Sequence, residues 1–78
     1  MIENLLERIE MNPQIMLGKP VIKGTRLTVE IILEKLAYGY TEEDILKEYP
    51  FITKDDIKAS LLYAAKLLAL EEEYILGK

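Results

Sequence analysis

Three cations occupy a short, turn-rich segment of an otherwise acidic chain. The chain has 78 residues and a formal net charge of −4, with 14 Asp and Glu residues against 10 Lys and Arg residues. No acidic residue lies between Glu10 and Glu30. Three basic residues do lie there: Lys19, Lys23 and Arg26. Because cations on a stiff segment can bind carboxylates or phosphates, the segment GKPVIKGTR is the first candidate for a binding site.

The glycines of this segment do not form a phosphate loop. A P-loop requires Gly-Lys-Ser/Thr after four spacer residues, whereas Gly24 is followed directly by Thr25. Gly18 and Gly24 instead suit turns, and Pro20 stiffens the connection between them. Two interpretations remain open. In one, Arg26 pairs with a nearby carboxylate and the two lysines are solvated; in the other, all three cations contact an acidic partner or phosphates.

Acidic runs at residues 42–44, 55–56 and 71–73 are the other groups that could do chemistry. The first two fall where helices are predicted to begin, and the helix dipole stabilises negative charge there without a catalytic role. Neighbours in the third run point in different directions from a helix. The chain has no cysteine and no histidine, hence no thiolate and no imidazole base. We therefore predict a protein that is not an enzyme and has no catalytic residue, metal site, cofactor or small-molecule substrate.

The length allows one domain, since 78 residues cannot form a second core. We predict an N-terminal arm over residues 1–27 and a three-helix core over residues 28–76. No run approaches the roughly 18 apolar residues that a membrane span needs, and no signal-peptide core follows Met1. A cytoplasmic protein without a membrane partner is expected. Its net charge opposes strong nonspecific binding to nucleic acid.

The arm combines helical and strand patterns. Residues 2–9 carry apolar side chains at helical spacing, whereas residues 8–11 alternate polar and apolar side chains. We predict a helical turn over residues 2–6 and a strand over residues 7–11. A helix over residues 7–11 is the alternative. Residues 20–23 suit a partner strand, so a small hairpin that packs on the helices is expected.

Three helices are predicted after the arm, each with a threonine at its start. Thr28 is a natural N-cap for the first helix, and Gly39 suits the left-handed residue that ends it. Thr41 opens the second helix in a capping box, and Pro50 stops it. Thr53 repeats the same signal before the third helix. The predicted fold is mainly α, with three helices and a short N-terminal β hairpin.

The third predicted helix, over residues 54–76, is longer than the other two can cover. Its core face is predicted to hold Ile57, Leu61, Ala64, Ala65 and Leu68. Beyond Ala59, apolar residues also lie on the other faces, and such a helix is buried on more than one face. We predict that its second half contacts a second copy of the chain, as a homodimer, or another protein. The predicted contact residues are Leu62, Leu67, Leu70 and Tyr74.

The second and third helices resemble a helix-turn-helix unit, in which the start of the later helix contacts the DNA major groove. Lys54 and Lys58 are the residues there that could bind DNA, but Asp55 and Asp56 would repel phosphates. A DNA-binding unit and a scaffold of the same shape both remain possible. Dimerisation would place two such units for a two-fold operator.

Across residues 7–66 the chain resembles the domain-of-unknown-function family 433, commonly described as VapB-like antitoxins. The stretches that carry the resemblance are GKPVIKGTR, TEEDILKEYP and TKDDI. The matching positions are Gly18, Pro20, Ile22, Gly24, Thr25 and Arg26 in the arm, and Gly39, Ile45, Tyr49, Pro50 and Ile57 in the helices. Phe51 departs from the small or polar residue expected after the proline.

This resemblance implies a homeodomain-like three-helix fold with an N-terminal β arm. It also implies an antitoxin role in a type II toxin–antitoxin module, beside a PIN-like nuclease toxin. Two routes of inhibition are open: the acidic run 71–73 covers the basic channel of the nuclease, or Lys23 or Arg26 engages its metal-binding carboxylates. The alternative function is a DNA-binding regulator of the protein's own operator, and the two functions can coexist.

Overall fold

Three helices follow an N-terminal arm that contains a short β hairpin. The computed structural model describes the backbone of residues 2–76 and the side chains of residues 4–70. The arm consists of α1 (Ile2–Leu5), a 3-10 turn (Leu6–Arg8), β1 (Ile9–Glu10), a second 3-10 turn (Met16–Gly18) and β2 (Val21–Ile22). The core helices are α2 (Val29–Ala37), α3 (Glu42–Glu48) and α4 (Lys54–Leu76). The predicted class, mainly α with a β hairpin in the arm, is confirmed.

The hairpin is shorter than predicted. β1 and β2 pair in antiparallel register, with Ile9 opposite Ile22. The strand predicted over residues 7–11 contains only Ile9–Glu10, because a 3-10 turn occupies the three residues before it. The partner strand is also short, since Lys23 already belongs to the following turn. The arm therefore holds a minimal two-stranded ladder.

Thr25 fixes the turn that follows β2. Its hydroxyl donates to the carbonyl oxygen of Ile22 at 2.8 Å and accepts from the backbone N–H of Leu27 at 3.0 Å. Gly24 has a φ of 80°, a left-handed conformation that a residue without Cβ adopts at little cost. Two further bonds join this turn to the first part of the arm: the Lys23 N–H donates to the Arg8 carbonyl oxygen at 2.8 Å, and the Gly24 N–H donates to Glu10 Oε1 at 3.5 Å. The basic segment is thus a preformed turn.

The predicted caps are present at the helix ends. Thr28 accepts from a backbone N–H in the first turn of α2 at 3.2 Å, and Thr41 forms a reciprocal capping box with Asp44. The bond from the Thr41 backbone N–H is the largest of the effects that lower the pKa of Asp44 below its ordinary value. Gly39, with a φ of 96°, takes the left-handed position just past α2.

Isoleucines from each helix form the centre of the core. Ile32 of α2, Ile45 of α3 and Ile57 of α4 are fully buried. Burial of a side chain of this size stabilises the fold by about 1.5–3 kcal/mol relative to its exposure. The same cluster includes three further buried residues, from the arm, its junction with α2 and the α3–α4 turn: Ile22, Leu27 and Ile52.

Outside this core, Lys35 joins α2 to α3. Its ammonium donates to Glu48 Oε2 at 2.8 Å and lies 4.9 Å from the centre of the Tyr40 ring. The hydrogen bond to Glu48 is the largest of the effects that raise the pKa of Lys35 above its ordinary value.

The buried face of α4 differs in part from the predicted one: Ile57 is buried as predicted, but small residues lie beside it. Ala59 and Ser60 are fully buried, and the Ser60 hydroxyl donates to the backbone carbonyl oxygen of Asp56 at 3.0 Å. Small side chains on this face allow neighbouring elements to approach the helix closely. The core prediction was wrong for three residues of α4, which are exposed: Leu61, Ala65 and Leu68.

Asp56 joins the start of α4 to the arm. Its Oδ2 accepts from the backbone N–H of Thr53 at 2.9 Å, and the Thr53 hydroxyl accepts from the backbone N–H of Asp56 at 3.3 Å. This is the capping box that the sequence predicted. Oδ1 of the same side chain, which is only 10% exposed, accepts from the Arg8 guanidinium at 3.2 Å. Asp55, whose side chain is 55% exposed, lies 3.6 Å from that guanidinium.

We expect the substitution Asp56→Ala to lower the free energy of unfolding by about 2 kcal/mol, because it removes a cap and a charged hydrogen bond together. The matched control is Asp55→Ala, which removes the same first-turn charge from an exposed pair and should cost less than about 1 kcal/mol. Urea unfolding monitored by circular dichroism measures both. Equal losses would show that Asp56 contributes only its charge near the helix terminus.

Candidate partner-binding surface

An apolar groove that solvent reaches lies between α2 and α4. Its apolar lining residues are Pro20, Val29, Leu33, Tyr63, Ala64 and Leu67. The α2 and α4 residues line it because positions three and four apart share a helix face. Leu67 is 52% exposed, so the groove is open on this side. A partner that buries apolar side chains in such a groove gains free energy from the area removed from water.

The rim of this groove is acidic. Glu30 and Glu34 of α2 line it beside the apolar residues. Lys19 Nζ lies 3.3 Å from Glu30 Oε1, but both side chains are more than half exposed. An exposed pair of this kind contributes about 1 kcal/mol at most, and a partner's cation can compete for the carboxylate. The groove is therefore complementary to an apolar segment with a basic surround.

The four residues predicted to contact a partner lie in different environments. Leu67 lines the groove, and Leu70 is exposed one turn further along α4. Leu62 is half-buried, and the side chain of Tyr74 lies outside the described residues. α4 has 23 residues, against nine in α2 and seven in α3. The shorter helices cannot cover its whole length, which leaves apolar residues of its second half in contact with solvent.

The three cations of the arm divide into two groups. Lys19 pairs with Glu30 on the groove rim. Lys23 and Arg26 are exposed, and neither forms an ion pair with a carboxylate in the described part of the chain. Within residues 4–70 the structure thus shows no tether for Arg26.

Lys23 and Arg26 border a shallow depression that the sequence did not predict. The other residues that line it are Ile15, Gly24, Thr25 and Phe51. Phe51 is exposed, and its ring meets the Tyr49 ring edge-on with centroids 6.1 Å apart. The sequence had singled out the basic segment that contributes Lys23 and Arg26, but it gave no signal that Ile15 and Phe51 would lie beside them. Two cations beside an exposed aromatic ring suit an acidic protein segment, since Arg and aromatic residues are favoured at protein interfaces.

The predicted DNA-contacting residues lie at the start of α4, next to acidic groups. Lys54 and Lys58 are both exposed. Lys54 lines the same surface depression as Glu42 and Glu43 of α3. Asp55 follows on α4 and is also exposed. Carboxylates this close to the lysines oppose the approach of DNA phosphates.

The described acidic runs have structural roles in helix capping. Residues 42–44 and 55–56 open α3 and α4, and one residue of each run completes a capping box. Within residues 4–70, no group of three or more potential ligand side chains is placed to hold a metal ion. Of the helices that the structure describes, none is both long and apolar enough to span a bilayer. The candidate binding surfaces are therefore the groove between α2 and α4 and the turn over residues 23–26 that carries Lys23 and Arg26, called the basic turn below.

By its architecture the chain is a small three-helix domain with a β hairpin in its N-terminal arm. A crystal structure of a DUF433 member protein from Anabaena variabilis ATCC 29413 has the same fold, with a TM-score of 0.76. The match covers 96% of this chain and 74% of that chain, at 23% sequence identity. At this identity the likeness establishes the fold alone.

The chain belongs to the family described as "Protein of unknown function (DUF433)", whose profile matches residues 9–64. The predicted family membership is thereby confirmed. The chain is also similar to the uncharacterized protein y4eO of Sinorhizobium fredii (strain NBRC 101917 / NGR234), with 31% identity over 58 residues. This match covers 74% of the chain and 26% of y4eO, so the chain spans about a quarter of the length of that relative.

Proposed function

We propose that this chain is the antitoxin of a type II toxin–antitoxin module, and that it binds and inhibits a PIN-like nuclease in the cytoplasm. The observation that carries the proposal is the open apolar groove between α2 and α4, with Glu30 and Glu34 on its rim. The family resemblance on the stretches GKPVIKGTR, TEEDILKEYP and TKDDI supports the same function. In this proposal the protein acts by binding and has no catalytic role.

The charges around the groove favour a nuclease as its occupant. A nuclease binds the phosphate backbone with basic residues, and these complement Glu30 and Glu34. The overall charge of −4 also favours association with a basic protein. A second copy placed symmetrically in the same groove would bring two acidic rims together. The acidic run 71–73, whose side chains lie outside the described residues, would extend the contact with a basic channel.

The basic turn provides the second contact in this proposal. A PIN-like nuclease holds its metal with a cluster of carboxylates, which attract cations. Lys23 and Arg26 are exposed on a turn that Thr25 holds in place, so their backbone needs no rearrangement on binding. We therefore assign affinity mainly to the apolar groove, and inhibition of the nuclease to the two cations.

The groove is tested with the variant Leu67→Glu. A carboxylate in the lining of an apolar contact is costly to bury, so we expect the affinity for the co-expressed neighbouring nuclease to fall at least tenfold. Copurification followed by calorimetry measures this. Leu67 is half-exposed already, and the substitution should leave the fold intact.

The matched control for this test is Tyr38→Glu. Tyr38 is 80% exposed, does not line the groove, and lies at the C-terminal end of α2. This variant should bind the nuclease as the wild type does. Equal binding by Leu67→Glu would remove the groove from the proposal, and failure of the wild type to bind the nuclease would overturn the antitoxin function itself.

The basic turn is tested with the double variant Lys23→Ala/Arg26→Ala. We expect it to bind the nuclease with affinity within about tenfold of wild type, since the groove is intact, and to lose most of its inhibition. An RNA-cleavage assay at saturating antitoxin separates the two effects. The double variant Lys47→Ala/Lys54→Ala makes the same change in net charge elsewhere and should inhibit normally. Full inhibition by the turn variant would contradict the assignment.

The alternative function is a DNA-binding regulator, acting alone or together with the toxin. The succession of α3, a turn and α4 with exposed Lys54 and Lys58 favours it, whereas Glu42 and Glu43 beside Lys54 oppose it. From this balance we expect the protein not to bind its own upstream DNA in an electrophoretic mobility-shift assay, even at low salt. A shift with a steep salt dependence that Lys54→Ala/Lys58→Ala abolishes would establish the regulator instead.

A further inference from the structure

α4 presents a second apolar stripe to solvent, apart from the groove. It consists of Leu61, Ala65 and Leu68, spaced four and three residues apart and so on one side of the helix. Leu61 is 48% exposed, Leu68 is 62% exposed, and Ala65 is exposed between them. The α4 residues of the groove lie roughly a third of a turn away around the helix axis, at 100° per residue. The stripe and the groove share no residue, so each can bind its own partner.

We propose that a second copy of the chain binds to this stripe, with the two α4 helices antiparallel about a two-fold axis near Ala65. Leu61 of one copy then lies opposite Leu68 of the other. Such a contact is self-complementary, as a two-fold interface requires. The four-three spacing matches the apolar seam of packed helix pairs, and the small Ala65 at its centre lets the two helices approach closely.

The charges along α4 select the antiparallel orientation. The same helical spacing continues toward the N-terminus through Lys58 and Lys54, which are exposed. Asp55 is exposed as well, but it lies about a third of a turn away from this line around the helix axis. The acidic run 71–73 lies near the other end of the helix, which continues to Leu76. Opposing Leu61 and Leu68 brings Lys58 level with residue 71 of the other copy. A parallel pair would instead place lysines beside lysines and the two acidic runs beside each other.

This inference keeps the homodimer that the sequence predicted but changes its residues. Leu67 lines the groove, and Leu62 is half-buried. Leu70 is exposed, but it lies on the side of α4 opposite Leu61. Leu61 and Leu68, which were predicted to lie in the core, are exposed on one side of the helix and form the proposed contact instead. A single helix pair buries less area than a typical stable interface of about 1,600 Å², so the dimer should dissociate on dilution.

Sedimentation velocity of the full chain over a range of concentrations tests the dimer. The wild type should change from the 9.0 kDa monomer to twice that mass as concentration rises. Ala65→Glu should remain monomeric over the same range, because it buries two carboxylates at the axis. Leu67→Glu, which alters only the groove, should dimerise as the wild type does. A wild type that is monomeric throughout, or an Ala65→Glu variant that dimerises normally, would overturn the proposal.

Cysteine crosslinking tests the orientation, since the natural chain has no cysteine. A mixture of Leu61→Cys and Leu68→Cys should form a mixed disulfide dimer under mild oxidation, because these positions oppose each other in an antiparallel pair. Neither variant alone should crosslink to the same extent. Efficient crosslinking of Leu61→Cys with itself would indicate a parallel pair and reject the proposed geometry.

This dimer does not depend on the proposed antitoxin function, since sedimentation and crosslinking use the chain alone. Binding to the nuclease provides a further test where that function holds. Ala65→Glu should still bind the nuclease, since the groove is unchanged, and circular dichroism should show an intact helix content. Loss of nuclease binding in this variant with the fold intact would show that the stripe belongs to the nuclease interface, and would reject it as the contact between copies.

Discussion

The Asp56 carboxylate is the interaction on which the arrangement of arm and helices depends. One of its oxygens caps α4 through the Thr53 backbone N–H, and the other accepts from Arg8, 48 positions earlier in the chain. The backbone carbonyl oxygen of Arg8 in turn accepts from the Lys23 N–H at 2.8 Å. Asp56 and Arg8 thus connect the start of α4 to the first 3-10 turn of the arm and to the turn that begins at Lys23. This connection holds Lys23 and Arg26 relative to the helices together with two backbone bonds, from the Ile22 N–H to the Leu27 carbonyl oxygen and from the Val29 N–H to the Pro20 carbonyl oxygen.

The unequal lengths of the helices explain why the domain has surfaces left to bind with. α2 and α3 end after nine and seven residues, at a glycine-terminated turn and just before a proline. They contribute enough apolar area to bury Ile32, Ile45 and Ile57, but α4 continues for 23 residues. Up to Leu70, where the described side chains end, its later turns carry exposed leucines on several sides. The groove and the stripe are consequences of this mismatch.

Local chemistry made part of the fold predictable. Threonine caps and the left-handed Gly39 depend on residues within one turn, and the structure contains them as predicted. The buried face of α4 could not be predicted in the same way, because close packing favoured Ala59 and Ser60 over the larger leucines. Nor does the sequence indicate a left-handed turn at Met16 and Leu17, with φ of 49° and 59°, because bulky residues disfavour that conformation. The groove and the Arg8–Asp56 contact combine residues from distant parts of the chain and required the structure.

Charge segregation gives the proposed function its specificity. The groove rim is acidic, while the turn with Lys23 and Arg26 is basic, and both signs occur within one domain of 78 residues. A partner that matches only one of them would face repulsion or an unpaired charge at the other. A nuclease offers both complements, with cations that bind phosphates and carboxylates that hold a metal. Because the stripe on α4 lies outside the groove, two copies joined through their stripes could each bind one nuclease in the groove. These surfaces therefore favour an assembly of two antitoxin chains and two nucleases.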